Sequence, residues 1–164
     1  MEPKGHVVTL DPSEVFIATH VGMLRHVVSR LRGFQHAHGY EETGDGWSND
    51  INAAAAEMAV ARLAGRYWDG NVAMTTERER RRPDILPDIE VKSTDKETNR
   101  LIVHRRTDDR LVCVLAIGKI PTFRVVGWIR AKDAKREDWW EDPSGKNRWA
   151  FFVAHADLNP LPLP

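Results

Sequence analysis

The sequence predicts an α/β (α+β) fold, a mixed central β-sheet flanked by helices. Three observations point there. Apolar residues between positions 15 and 31 keep helical spacing, and an alanine-rich run at 53–56 marks a second helix. From position 89 onward the chain is a series of short apolar or alternating segments broken by turn residues. Helices first and strands after is the order of an α+β or mixed-sheet domain. At 164 residues with six tryptophans, one domain spanning 1–164 can bury a proper core.

Residues 6–10 read as a short strand. Asp11 caps the first helix, Pro12 fits its first turn, and Val15, Phe16, Ala18, Val21, Leu24, Val27, Val28 and Leu31 keep its period up to Gly33. Residues 34–47, rich in Gly, His and Glu, form a loop long enough to act as a flap. The second helix covers 48–67, with Ser48 or Asn49 as N-cap and Gly65 weakening its end. Residues 68–82 are irregular or hairpin-like. A strand is expected at 89–94, then a turn at 95–99, a strand at 101–106 and a tight turn at 107–110. Residues 111–117 are nearly continuously apolar, hence a buried central strand. Residues 118–121 turn into a strand at 123–129. A short helical or irregular piece follows at 131–140, then a last strand at 148–153 and a helical turn at 155–158. A Pro-rich tail closes the chain at 159–164.

Composition excludes several classes. The single Cys113, inside an apolar strand, leaves no disulfide framework and no thiolate zinc site. No two histidines stand at His-x₃-His spacing, and His20 and His26 lie six apart, so no zinc site is assigned. There is no phosphate-binding Gly-rich loop, no Gly-x-Ser-x-Gly and no internal repeat. No apolar run reaches membrane-spanning length and the N-terminus lacks a signal-peptide pattern, so a cytoplasmic protein with no membrane partner is expected.

Chemistry concentrates in the segment Arg82-Pro-Asp-Ile-Leu-Pro-Asp-Ile-Glu-Val-Lys-Ser-Thr94. On a strand period Asp88, Glu90 and Lys92 share one face, with Ile89 and Val91 on the other. Two carboxylates and an ammonium aimed one way make either a solvated face or a metal site with hard oxygen ligands suited to Mg²⁺. Upstream, Glu57 sits in the middle of the small apolar face of the second helix. Val60, Ala53, Ala64, Ala61 and Ala54 flank it within about 60° on a helical wheel, while Asn52, Arg62 and Arg66 fall opposite. Burying an unpaired carboxylate there is costly, and a metal or a buried Lys would offset the cost.

Pro83, Asp84, Glu90 and Lys92 resemble the motif of the PD-(D/E)XK nuclease superfamily, and Glu57 matches by position the glutamate that many members carry on a preceding helix. The resemblance covers about residues 48–118. It implies a restriction-endonuclease-like fold with the Asp and the Glu-x-Lys on adjacent strands. It further implies Mg²⁺ or Mn²⁺ held by Asp84, Glu90 and Glu57, and Lys92 as the catalytic lysine. The gap from Asp84 to Glu90 is short, so the turn must be very tight or bulged, and Asp88 stands as a rival ligand. The small size is similar to that of phage or mobile-element nucleases.

The expected function is hydrolysis of phosphodiester bonds in nucleic acid, DNA rather than RNA. Equal numbers of basic and acidic residues, 24 each, count against a non-specific nucleic-acid binder. Their distribution softens the objection: Arg78, Arg80, Arg81 and Arg82 precede the motif, and Arg105 and Arg106 follow it, forming a basic rim that would contact phosphates. The alternative is a non-catalytic nucleic-acid-binding or partner-binding module on the same scaffold. Oligomeric state is left open, with a homodimer admissible.

Overall fold

The computed structural model describes residues 4–31, 46–72 and 81–164. The expected flap at 34–47 lies outside these residues up to position 45, as do residues 73–80 of the irregular segment.

Strand β1 (His6–Thr9) leads into helix α1 (Pro12–Leu31). The entry is a reciprocal cap. The Glu14 backbone N–H donates to Asp11 Oδ1 at 2.9 Å, and the Asp11 N–H donates to Glu14 Oε2 at 2.8 Å. Helix α2 (Gly46–Ala64) follows, and its residues 54–61 are all buried. Such a helix must be covered on two sides. One cover is a sheet and the other is α1. The two helices meet backbone to backbone at Gly22, where an added Cβ would stand 2.5 Å from the Ile51 Cα. The alanines of α2 allow an equally close approach to the sheet.

That sheet has four strands in the order β1-β5-β4-β2, with β2 at Ile89–Thr94, β4 at Val112–Lys119 and β5 at Thr122–Arg130. β2 runs parallel to β4, and the other pairs are antiparallel. The fold is therefore α+β with a mixed sheet and helices against it. A second sheet of β3 (Leu101–Val103), β7 (Ala150–Val153) and β6 (Trp140–Glu141) lies on the opposite side. β4 is the hinge of the core. Val112, Val114 and Ala116 pack with α2, whereas Cys113, Leu115 and Ile117 pack with Leu101, Val103, Phe151 and Val153. Burial on both faces explains its unbroken apolar run.

Two expectations need correction, for the strand at 101–106 and for the packed face of α1. The strand expected at 101–106 ends at Val103 and pairs with β7, not with the motif strand. This excursion through the second sheet supplies the crossover that a parallel β2–β4 pair requires. The piece at 131–140 is short and helical as expected, with α3 (Ala131–Ala134) and a 3₁₀ turn (Glu137–Trp139) before β6 begins at Trp140. In α1 the packed residues are Ala18, Gly22 and His26, while Phe16, Leu24, Val27 and Leu31 are exposed. No helix among the described residues is long and apolar enough to cross a membrane.

Candidate active site

The short gap between Asp84 and Glu90 is accommodated by a three-residue hairpin loop. Ile85 and Ile89 exchange both backbone hydrogen bonds, at 3.0 and 2.9 Å, around Leu86, Pro87 and Asp88. Both isoleucines are almost fully buried, so the turn is pinned to the core. This folds Asp84 back along β2, where its Oδ2 accepts from the Val91 backbone N–H at 2.8 Å. Asp84 and the Glu-x-Lys thus sit on adjacent antiparallel segments.

β2 is the edge strand, and its side chains divide by parity. Ile89 and Val91 enter the core shared with α2. Glu90 and Lys92 pair in register with Cys113 and Leu115, so they leave on the opposite face, toward the second sheet. Lys92 Nζ donates to Glu90 Oε1 at 2.7 Å. Neither is sealed: 33% of the Lys92 side chain and 22% of the Glu90 side chain meet solvent.

Glu57 approaches from the helical side. Its expected isolation is corrected by α1. Arg25 Nη1 and Nη2 donate to its two oxygens at 2.6 and 2.9 Å, and Trp68 Nε1 donates to Oε2 at 2.9 Å. Arg25 Nε also donates to the Asn71 carbonyl at 2.9 Å, which fixes the guanidinium plane. Sequence reasoning missed Arg25 and Trp68. A signal for Arg25 existed: it lies on the small-residue side of α1 with Ala18 and Gly22, where a charge must have a partner. Beside it, buried His26 shares a 2.7 Å contact between Nδ1 and Asp50 Oδ2 and packs on the Trp47 ring.

Glu57 and Glu90 come from opposite faces of the sheet, yet they act on each other around its edge, and Asp84 feels both. Burial, then the Glu57 and Glu90 charges, push the Asp84 carboxyl well above its usual range, and Lys92 and the Val91 N–H offset only part of this. Burial also raises Glu57 despite Arg25. For Lys92, burial opposes the ammonium, but Glu90 and Asp84 outweigh it and hold the group protonated. Burial and then Glu90 push the neighbouring Cys113 thiol up to about 12, so it is an inert neutral group. The four motif residues therefore form one electrostatic unit at the sheet edge.

Asp88 stands apart from that unit. Its Oδ1 accepts from Arg66 Nη1 at 2.6 Å, on the side of α2 opposite Glu57. Arg78 and Arg80 lie outside the described residues. Arg82 is paired with Asp69. Arg81 and Arg106 are exposed. Arg105 lies 4.4 Å over the Trp140 ring, with Glu137 at 3.7 Å. The described arginines thus fall into two groups, Arg81 and Arg82 just before Asp84 in the chain and Arg105 and Arg106 just after β3, and both Arg82 and Arg105 have acidic neighbours.

Among the described residues, no three His, Cys, Asp or Glu side chains stand close enough together to hold one metal ion. Both oxygens of Glu57 are engaged. Asp84 and Glu90 fit a cation that takes one or two carboxylates and completes its shell with water and phosphate oxygen, which is the habit of Mg²⁺. No protein-family model, no curated protein and no solved structure matches this chain.

Proposed function

We propose that this protein is a metal-dependent nuclease of the PD-(D/E)XK kind, hydrolysing phosphodiester bonds of nucleic acid, with DNA favoured over RNA. The observation that carries the proposal is the placement of Asp84 by the Ile85–Ile89 hairpin, which sets its Oδ2 on the Val91 N–H at 2.8 Å between Glu90 and Lys92 in sequence. Asp84 is held half-buried between Glu57 and Glu90, beside a protonated Lys92, at an edge open to solvent. Such a carboxylate accepts either a proton or a cation readily, and perturbed groups of this kind concentrate at functional sites.

Asp84 and Glu90 would hold Mg²⁺ or Mn²⁺, which supplies Lewis-acid polarisation of a phosphate oxygen when bound. The chain's own contribution follows from its geometry. Lys92, kept protonated beside Glu90, would supply a positive charge to a phosphate brought to Asp84 and Glu90. In this charge state it would orient the attacking water rather than deprotonate it. Glu57, committed to Arg25 and Trp68, contributes fixed negative charge behind Asp84. A cytoplasmic setting and an origin in a phage or mobile element belong to the same proposal.

A second reading also has an observation in its favour. Glu57–Arg25 and Glu90–Lys92 are already compensated by protein cations. A non-catalytic nucleic-acid- or partner-binding module would need no more. The deciding experiment incubates the full chain with single- and double-stranded DNA and RNA plus Mn²⁺, beside Lys92→Ala and Asp84→Asn. Cleavage lost in both variants supports the nuclease. Nucleic-acid binding without cleavage under every condition selects the module.

A further inference from the structure

The outward face of α1 carries an apolar stripe that the described residues leave uncovered. Phe16 is 71% exposed and Leu31 81%, and Ile17, Met23, Leu24 and Val27 are each exposed by between 39% and 49%. With His20, which stacks on Phe16 at 6.0 Å, these residues fall within about 60° either side of one direction on a wheel of ~100° per residue. The buried Ala18, Gly22 and His26 point roughly the other way. The cause is architectural: α1 packs on α2, not on the sheet, and uses only small residues and one histidine to do so. The larger apolar side chains are left facing outward.

We propose that this face is the dimer interface of the protein, two copies packing α1 against α1 about a two-fold axis. Three features select a second copy as the occupant. The stripe contains no Asp, Glu, Lys or Arg, so it offers nothing to a charged partner. It is also self-complementary when the helices run antiparallel. A two-fold axis between Met23 and Leu24 sets Phe16 against Leu31, His20 against Val27 and Met23 against Leu24 of the other copy. Every residue of the stripe except Ile17 meets another member of the stripe. The area is sufficient as well. Six side chains of this size expose about 600 Å², so two copies would bury about 1,200 Å², the lower bound of specific interfaces. A patch of that size on a monomer is at the upper end of what soluble proteins leave open.

An isologous contact of this kind closes on itself and stops at two. It also leaves the motif residues free, because Arg25, which reaches Glu57, lies on the far side of α1 from the stripe. Dimerisation through α1 is independent of nuclease chemistry and stands or falls separately from it.

Sedimentation equilibrium of the full chain between micromolar and about 100 μM tests this. The expected result is a mass rising toward two chains in the wild type and staying at one chain in Leu24→Glu/Val27→Glu, with far-UV circular dichroism unchanged. Should that variant misfold, Leu24→Cys gives an independent answer. Next to the axis it forms an intermolecular disulfide on mild oxidation, whereas Ser29→Cys on the other side of α1 does not. Native Cys113 is buried and gives no background. A wild-type mass of one chain at every concentration overturns the proposal. So does a dimer that survives the glutamates, or a monomer that instead co-sediments with anionic phospholipid vesicles.

Discussion

Removing the Arg25 guanidinium while keeping its bulk, as Arg25→Met, isolates a carboxylate whose side chain is only 6% exposed. Glu57 loses both charge-assisted bonds and keeps only the Trp68 indole. Breaking a buried pair from one side costs about 3–5 kcal/mol. A second route gives a similar figure. Glu57 can escape by taking a proton, at about 1.4 kcal/mol per pH unit between its ordinary value and the assay pH, so about 3.5 kcal/mol at pH 7. Against a total of about 5–15 kcal/mol this is large, and the melting temperature should fall by about 10 °C. The sign with pH follows. A carboxyl raised in the folded state leaves stability intact below its unfolded value and removes it as pH rises toward the folded value. The deficit of Arg25→Met should therefore be smallest near pH 4 and grow by about 1.4 kcal/mol per unit above that. Urea unfolding from pH 4 to 8 measures it, and Arg25→Met/Glu57→Gln should recover most of the loss. A deficit below about 1 kcal/mol at pH 7, or one flat with pH, would refute the assignment of Arg25 as the counter-ion that holds Glu57 in place.

Asp84→Asn should stabilise the metal-free protein at neutral pH and abolish any cleavage. Because the Asp84 carboxyl is raised in the folded state, the wild type loses stability as pH rises, and the variant's advantage should shrink in acid. Melting curves at pH 4 and pH 8 check the sign, and a destabilised variant at pH 8 would contradict it. Glu90→Gln should keep the fold and lose the Mn²⁺-induced gain, which is about 2.7 kcal/mol at a concentration 100 times Kd. An unchanged melting shift would remove Glu90 from the ligand set. For nucleic acid, affinity should fall linearly with salt on a log–log plot, and Arg105→Ala/Arg106→Ala should flatten the slope by up to about two. A slope unchanged in that variant would place the phosphate contacts elsewhere.

What was legible in the sequence was local. The strand at 89–94, the double-faced strand that became β4 and the N-cap of α1 each follow from periodicity or from residue chemistry over a few positions. The burial of Glu57 was legible too, because the wheel placed it among alanines. Its partner was not, because the ion pair joins residues 32 positions apart and depends on how closely Gly22 lets the helices approach. The division of strands between two sheets was hidden for a similar reason. β2 and β3 are adjacent in sequence with a turn between, which suggests a hairpin, yet β2 prefers the parallel register with β4 that buries Ile89 and Val91 against α2. For α1, helical spacing was visible, but spacing alone does not say which stripe faces inward. The smaller residues won because only they permit the close packing on α2.

Among the described residues that act on one another around Asp84, carboxylates outnumber cations. Glu57, Asp84 and Glu90 face Arg25 and Lys92, three carboxylates against two cations, and the remaining acid of the neighbourhood, Asp50, is occupied by His26. Asp84 feels both cations, but Lys92 is bonded to Glu90 and Arg25 to Glu57. A core selected for stability alone would replace Asp84 with a neutral residue able to accept from the Val91 N–H, and Asn does so at nearly the same volume. Keeping the carboxylate costs stability at neutral pH and returns nothing to packing. On the proposed nuclease reading, a site that retains such a cost keeps the charge for binding, and the counter-charge it would take is positive, compact and oxygen-seeking. A divalent cation meets all three requirements at once. A lysine or arginine side chain from a partner would also supply positive charge and donate to oxygen, but it would confer no response to Mn²⁺. The metal-dependence of stability in Asp84→Asn against wild type is thus the measurement that separates a hydrolytic centre from a protein-binding surface, since a partner's cation leaves the response to Mn²⁺ unchanged.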